Sequence, residues 1–150
     1  MGKTDASFLK EGCEIYLKKL IHYCNLEYNE IPDLKRTKNM TINEQKIKEG
    51  KLILQKIQAS DTLILLDEKG KIYTSVEFSK FMNNYFLSSV KQLNFVIGGP
   101  YGFSDEVYNR ANTIVSLSAM TFSHQMVRLL FLEQIYRAFT ILNNEPYHHL

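Results

Sequence analysis

The residues with the clearest capacity for chemistry form a glycine-rich stretch, 98–102, directly after an apolar segment at 93–97. Glycine permits positive φ or a close approach of the backbone to another group, whereas proline fixes φ and removes a hydrogen-bond donor. The three glycines (Gly98, Gly99 and Gly102) and Pro100 therefore predict a rigid, open loop that could hold a ligand. Their spacing matches neither G-x-G-x-x-G nor a P-loop, which disfavours a dehydrogenase or an NTPase. A turn without a ligand uses the same residue types and stays open as an alternative.

A second candidate loop, residues 116–124, reads SLSAMTFSH. Its hydroxyl groups and apolar side chains suit a ligand with one flat apolar part and several polar edges. The alternative is an ordinary helix start, in which Thr121 or Ser123 caps the first turn. The hydroxyls are those of Ser118, Thr121 and Ser123, and the apolar walls would be Leu117, Met120 and Phe122.

Polar side chains are the exceptions in the apolar segment 126–142. Glu133 and Arg137 are four residues apart in the favourable order, so a structural ion pair explains both. The planar guanidinium of Arg137 would equally suit a phosphate or a base edge of RNA.

Alternating apolar and helical patterns indicate the elements that position these loops. We predict a helix over residues 4–24 with Thr4 and Asp5 as N-caps, and a short strand from Leu26 to Ile31. A Thr41–Glu44 capping box opens the next helix. The apolar run 62–67 predicts a strand buried on both faces, followed by a turn at 68–70.

The second half continues the alternation. We predict a helix capped by Ser75, a strand at 94–98, a short helix from Ser104, a strand at 113–118 and a long helix from Ser123. Such alternation predicts an α/β fold in which a mostly parallel sheet carries helices on both faces. Ligands of such sheets bind at the carboxyl ends of the strands, where the glycine-rich stretch would lie.

The final helix is apolar around nearly its whole circumference. Because a helix of this kind cannot expose one side to water, we expect a second copy of the chain to cover it, and thus a homodimer.

Length and composition narrow the class of protein. The chain has 150 residues, 45% of them hydrophobic and 23% charged, which predicts a single domain over residues 1–150. Neither a membrane span nor a secretory signal is visible, so a cytoplasmic protein without membrane contact is expected. Cys13 and Cys24 would lie too far apart on one helix for a disulfide, and the Cys and His spacing predicts no metal site.

The net charge of +2 does not by itself mark a nucleic-acid binder. Lys35, Arg36 and Lys38 nevertheless cluster after Pro32. A solvated loop explains this cluster most simply, and an anchor for phosphates is the alternative.

Three segments in order, "FVIGGPYGFS", "SLSAMTFSHQMVRLLFLEQIYRA" and "PYHH", resemble the ribosomal RNA large subunit methyltransferase H family of the SPOUT class. The resemblance implies a C-terminal trefoil knot, S-adenosylmethionine as cofactor and a homodimer that supplies both halves of each site. It also implies N3-methylation of a pseudouridine in 23S rRNA of the assembled ribosome.

We hypothesise that His148 accepts or relays the proton that leaves N3, with Tyr147 and Arg137 orienting the base, since histidine titrates near neutral pH. The resemblance itself implies which residues contact the cofactor. The cofactor would be lined by Leu66, Gly98, Leu117, Ser118, Ala119, Met120, Thr121 and Phe122.

One departure from the family concerns the N-terminus. Family members usually begin with an apolar strand that ends in a pair like Gly2-Lys3, and that strand is absent here. Two alternatives stay open at this point: a non-catalytic ribosome-binding or assembly factor with the same fold, and a methyltransferase acting on transfer RNA. The latter would be expected to carry an RNA-binding extension, which is not visible.

Overall fold

The fold was analysed in a computed structural model that describes residues 1–35 and 37–148. Arg36 of the basic cluster, the second histidine of "PYHH" and Leu150 lie outside the described residues. No helix within the described ranges is both long and apolar enough to cross a bilayer. The elements are α1 (Ser7–Leu20), a 3₁₀ turn (Thr37–Asn39), α2 (Ile42–Leu54), β1 (Thr62–Ile72), α3 (Ser75–Phe86), β2 (Leu93–Ile97), α4 (Asp105–Arg110), β3 (Thr113–Ser116) and α5 (His124–Leu142).

The described strands form a parallel sheet in the order β2-β1-β3. Leu66 pairs with Ile97 of β2 and with Val115 of β3, so the carboxyl ends of β2 and β3 flank Leu66 at one edge. The predicted parallel α/β fold is confirmed, and the two candidate loops begin at the carboxyl edge of the sheet, where sheets of this kind bind ligands.

Helices cover both faces of this sheet. Successive side chains of β1 point to opposite faces, so the strand contributes to a separate core on each face. Ile64 and Leu66 pack into a core with α1, α3 and α5. Leu63 and Leu65 pack on the other face, where α2 and α4 contribute Ile53 and Val107. The continuous apolar run at 62–67 is therefore explained by burial on both faces.

The sequence predicted that the strand beginning at residue 62 ends in a turn at 68–70, and this prediction is wrong. The strand continues through Ile72, with a register shift between Leu66 and Lys71 that makes both residues pair with Val115. Only glycine fits at position 70, because a Cβ there would lie 2.5 Å from the carbonyl carbon of Val115, too close for the strands to pair. Pairing with β3 resumes after the irregularity, so the polar residues did not signal the end of the strand.

The predicted strand from Leu26 to Ile31 is also wrong. The segment has no ladder partner in the described structure and makes one backbone bond to the N-terminus, from Gly2 N to Ile31 O at 2.9 Å. An alternating pattern forms a strand only where a neighbouring strand supplies hydrogen bonds.

Two helix starts differ from the prediction. α1 begins at Ser7 after Ala6, which makes no side-chain cap, and it ends at Leu20 rather than near Cys24. Thr4 instead donates from Oγ1 to Glu30 Oε1 at 3.1 Å and accepts from Arg128 at 2.7 Å. α3 is capped by Thr74 in a capping box with Glu77, so Ser75 is its first helical residue. The Thr41–Glu44 box and the Ser123 cap are confirmed.

α5 is buried by its own chain more than its composition suggested. It packs against α1, α3 and the sheet, and each of its residues is at least half-buried. The all-round apolar pattern therefore does not by itself require a second copy of the chain. Both cysteines are free, with Cys13 buried in the core beside α5 and Cys24 half-buried.

Candidate active site

The carboxyl ends of the strands enclose a cavity of about 570 Å³. Segments that follow each strand form its wall: 66–69 after the buried part of β1, 97–103 after β2, and 116–118 with 120–124 after β3. The two candidate loops thus meet in space at one recess. Seven of the eight cofactor-binding residues predicted from the family line it, and Ala119, although exposed in the same loop, does not.

Each glycine of the glycine loop, residues 98–102, is required by a different neighbouring group or backbone conformation. A Cβ on Gly98 would lie 3.2 Å from the Phe103 ring, and one on Gly99 would lie 2.6 Å from Glu49 Oε2. Gly102 has φ +75° and donates its N–H to Gly99 O at 3.1 Å, which closes a turn around Pro100. The loop is therefore a tight turn that also lines the cavity.

Glu49 and Ser104 pack behind the glycine loop. Glu49 is 4% exposed, and its Oε1 accepts from Gln45 Nε2 at 2.8 Å. Its other oxygen and Ser104 Oγ have no hydrogen-bond partner among the described residues. Glu49 therefore packs between α2 and the glycine loop without a hydrogen bond to the loop.

The hydroxyl loop, residues 116–124, is organised by its own serines. Ser116 Oγ donates to Ser118 O at 2.9 Å, and Met120 N donates to Ser118 Oγ at 2.9 Å. Ser123 Oγ accepts from Met126 N at 3.3 Å and caps α5. Met120 is 74% and Phe122 43% exposed, an arrangement that offers apolar surface to a ligand.

Polar cavity residues that the sequence analysis did not single out include Lys46, Asp67 and Tyr108. Tyr108 Oη donates to Asp67 Oδ2 at 2.7 Å, and burial together with this bond raises the pKa of Tyr108, which keeps it a donor. Asp67 was visible as the polar end of an apolar strand. Lys46 and Tyr108 carried no such signal, because only the packing of α2 and α4 brings them to the cavity.

His124 is the histidine of the cavity wall, one turn before Arg128 on α5. Burial lowers the pKa of His124, and the positive charges of Arg128 and the Met1 ammonium lower it further, against the acids Asp33 and Glu49. Arg128 is held there by bonds to the carbonyls of Met1 and Gly2. The cavity wall therefore carries a neutral imidazole at neutral pH.

This environment predicts a pH dependence of stability. Below the ordinary histidine pKa of about 6.5, the unfolded chain binds a proton at His124 more readily than the folded chain, so stability falls as the pH decreases. His124→Gln should reduce the loss in the free energy of unfolding between about pH 7.5 and 5.5, measured by urea unfolding. His22→Gln, at an exposed position after α1, is the matched control. Identical losses in wild type and His124→Gln would contradict the assignment.

The three predicted catalytic residues form a second cluster. Arg137 Nη1 lies 3.4 Å from His148 Nδ1, and its guanidinium stacks on the Tyr147 ring at 4.8 Å. Arg137 Nε donates to Glu133 Oε1 at 3.0 Å, so the predicted ion pair is confirmed. Tyr147 Oη donates to the same Glu133 oxygen at 3.1 Å. Burial and hydrogen bonds with Tyr16 and Glu133 raise the pKa of Tyr147, so it serves as a donor.

Within one chain this cluster does not reach the cavity. Val127 is the last residue of α5 on the cavity wall, and Arg137 lies ten positions further along, about 15 Å at the rise of an α-helix. None of the three predicted catalytic residues contributes to the wall. A single chain thus holds the predicted cofactor residues and the predicted catalytic residues in two separate places.

Comparison with known proteins adds an independent line of support. A family model described as "Predicted SPOUT methyltransferase" matches residues 1–148. Similar curated proteins include "Ribosomal RNA large subunit methyltransferase H" from Christiangramia forsetii, 58% identical, and from Flavobacterium johnsoniae, 56% identical. A third, from Parabacteroides distasonis, is 55% identical, and each alignment covers 99% of this chain and 95% of the relative.

The matches extend over both candidate loops and the closing segment, and they agree with the parallel sheet and the cavity at its carboxyl edge. The identity is far above the level at which only the fold is shared. The chain belongs to the SPOUT methyltransferases and, within them, to the ribosomal RNA large subunit methyltransferase H family.

Proposed function

We propose that this protein is an S-adenosylmethionine-dependent methyltransferase that acts on large-subunit ribosomal RNA. The observation that carries the proposal is the meeting of the glycine and hydroxyl loops at one cavity, in a chain that belongs to a methyltransferase family. We extend the proposal to a single domain over residues 1–150 with the C-terminal knot of the SPOUT class.

The cavity residues fit this cofactor. About 570 Å³ is within the range of small-molecule sites. Leu117, Met120 and Phe122 offer apolar surface for a flat ring, while the backbone of Gly98, which no side chain separates from the cavity, suits the polar edges of adenine and ribose. Leu66, Ser118, Ala119 and Thr121 complete the proposed binding set.

Bound S-adenosylmethionine supplies an electrophilic methyl group. The cavity walls of this chain would orient the donor and exclude water from it, and orientation of reactants lowers a barrier by about 7–11 kcal/mol in favourable cases. Within the cavity, His124 as a neutral imidazole is available to polar groups, and so is the Tyr108 hydroxyl oxygen as an acceptor, since its proton is donated to Asp67.

The acceptor we propose is N3 of a pseudouridine in 23S rRNA of the assembled ribosome. N3 of a uracil-type ring carries a proton that must leave as the methyl group arrives. His148 would accept or relay this proton, while Arg137 and Tyr147 orient the base. The raised pKa of Tyr147 keeps its hydroxyl protonated, which leaves proton acceptance to the histidine.

The separation of the two clusters within one chain supports a homodimer for this reaction. If the cavity and the Arg137–Tyr147–His148 cluster serve one reaction, the cluster must come from a second copy, because α5 separates them by about 15 Å in the same chain. The exposed side chains of Tyr101, Met120 and Phe122 around the cavity are apolar surface that a second copy would cover.

Transfer of labelled methyl groups tests the proposed function. Labelled S-adenosylmethionine is offered with free large-subunit RNA, isolated subunits and joined ribosomes, and the labelled nucleotide is then mapped. We expect label at N3 of one pseudouridine, with joined ribosomes as the best substrate. Calorimetry with S-adenosylmethionine separates this activity from a non-catalytic assembly factor. Absence of both cofactor binding and label would refute the proposal.

A further inference from the structure

Positive charge is concentrated in one segment beside the cavity. Residues 35–56 contain seven Lys or Arg and two Asp or Glu, whereas the remainder contains eleven and fourteen. A net charge of +5 therefore lies on this segment, and −3 on all other residues together. The small overall charge of the chain conceals this asymmetry.

The two acids of the segment do not neutralise its lysines. Glu44 is committed to the capping box, where its Oε2 accepts from Thr41 N at 2.8 Å. Glu49 is buried against the glycine loop. The ion pairs found within residues 1–35 and 37–148 are Arg128–Glu30 and Arg137–Glu133, so neither involves a lysine of this segment.

Three of the lysines lie on one exposed surface. Lys48 and Lys51, three residues apart, lie on the exposed side of α2, and Lys48 Nζ is 3.7 Å from Met40 Sδ, next to the 3₁₀ turn that carries exposed Lys38. Lys46 lies on the other side of the same helix, where it lines the cavity. We call Lys38, Lys48 and Lys51 the α2 lysine surface.

We propose that the α2 lysine surface binds the phosphate backbone of the ribosomal RNA that flanks the target nucleotide. The inference rests on the proposed function, since it assumes that the base enters the cavity beside α2. Unpaired ammonium groups suit phosphates because each contact releases condensed counterions. Charge of this kind positions a nucleic acid without reading its sequence.

The test uses the full chain with Lys38→Glu, Lys48→Glu and Lys51→Glu combined. Lys46 is left unchanged because it lines the cavity. Binding to intact ribosomes and to protein-free large-subunit RNA is measured over a range of salt concentrations. We expect at least tenfold weaker binding to both. The slope of log K against log salt concentration should become shallower by about two, because each of the three lost phosphate contacts contributes about 0.7–0.9 to that slope.

The matched control carries the same charge change at Lys10, Lys18 and Lys80, which are exposed on α1 and α3 across the sheet. This control and a triple Lys→Arg variant of the surface should bind like wild type. Calorimetry with S-adenosylmethionine should be unchanged in all variants, so a failure here is separable from a failure of the proposed function. Equal losses in the Lys→Glu variant and its control would overturn the proposal. So would a loss confined to ribosomes, since that result would indicate contact with a ribosomal protein.

Discussion

Gly98→Val is expected to abolish detectable S-adenosylmethionine binding while the chain remains folded. Gly98 is buried, and even a Cβ there would lie 3.2 Å from the Phe103 ring and 3.4 Å from the Gly102 carbonyl carbon. Valine adds two further methyl groups, so either the ring or the glycine loop must move. Displacement of the loop, or intrusion of the methyl groups into the cavity, removes the close fit on which cofactor binding depends.

Calorimetric titration with S-adenosylmethionine measures this effect. Overpacking of this kind costs about 1–3 kcal/mol, less than the usual stability of a domain, so circular dichroism should still report a folded chain. Gly12→Ala is the matched control, because its Cβ would meet the Leu129 side chain at 2.9 Å in α1, away from the cavity. Binding retained by Gly98→Val would refute the assignment of the cavity.

His148→Ala is expected to lower the methylation rate by about 10²- to 10⁴-fold, the usual contribution of a general base. The affinity for S-adenosylmethionine should stay near the wild-type value, because His148 lies beside Arg137 and not on the cavity wall. Single-turnover rates on ribosomes and calorimetry separate the two quantities. A His148→Ala rate equal to wild type would remove this residue from the chemistry.

Mixed dimers test which of the two chains supplies His148 to each cavity. When chains carrying Gly98→Val and chains carrying His148→Ala are co-expressed with two different tags, doubly purified heterodimers should recover about half the wild-type rate. If each cavity uses the histidine of the other copy, one of the two sites in such a heterodimer is intact. If each cavity used its own histidine, both sites would be defective. A heterodimer as inactive as the two homodimers would contradict the proposed dimeric site.

Much of the fold followed from local sequence signals. The capping box at Thr41 and the serine cap of α5 are short-range interactions, so the residues that form them are neighbours in the chain. The apolar run at 62–67 predicted a strand buried on both faces, because side chains of consecutive residues alternate between the two faces of a sheet. The predicted strand at 26–31 failed, since an alternating pattern cannot report whether a neighbouring strand is present.

The site was predicted where its residues follow strands directly. Gly98 and the hydroxyl loop come next after β2 and β3, and parallel strands bring such segments to one edge. The resemblance to a family identified their ligand. Lys46 and Tyr108 were missed because they reach the cavity from α2 and α4, and no spacing in the chain encodes that approach.

The sequence by itself therefore determined the order of helices and strands from α2 onward, the glycine loop at the end of β2 and the family. Only the tertiary structure decided that β1 continues through Ile72, that Gly99 is opposed by a buried carboxylate and that α5 is covered by α1 and α3. It also placed Arg137, Tyr147 and His148 away from the cavity of their own chain. The physical reason is the range of the interactions. Caps, turns and strand alternation act between near neighbours, whereas register, packing and the assembly of a site depend on contacts between residues far apart in the chain.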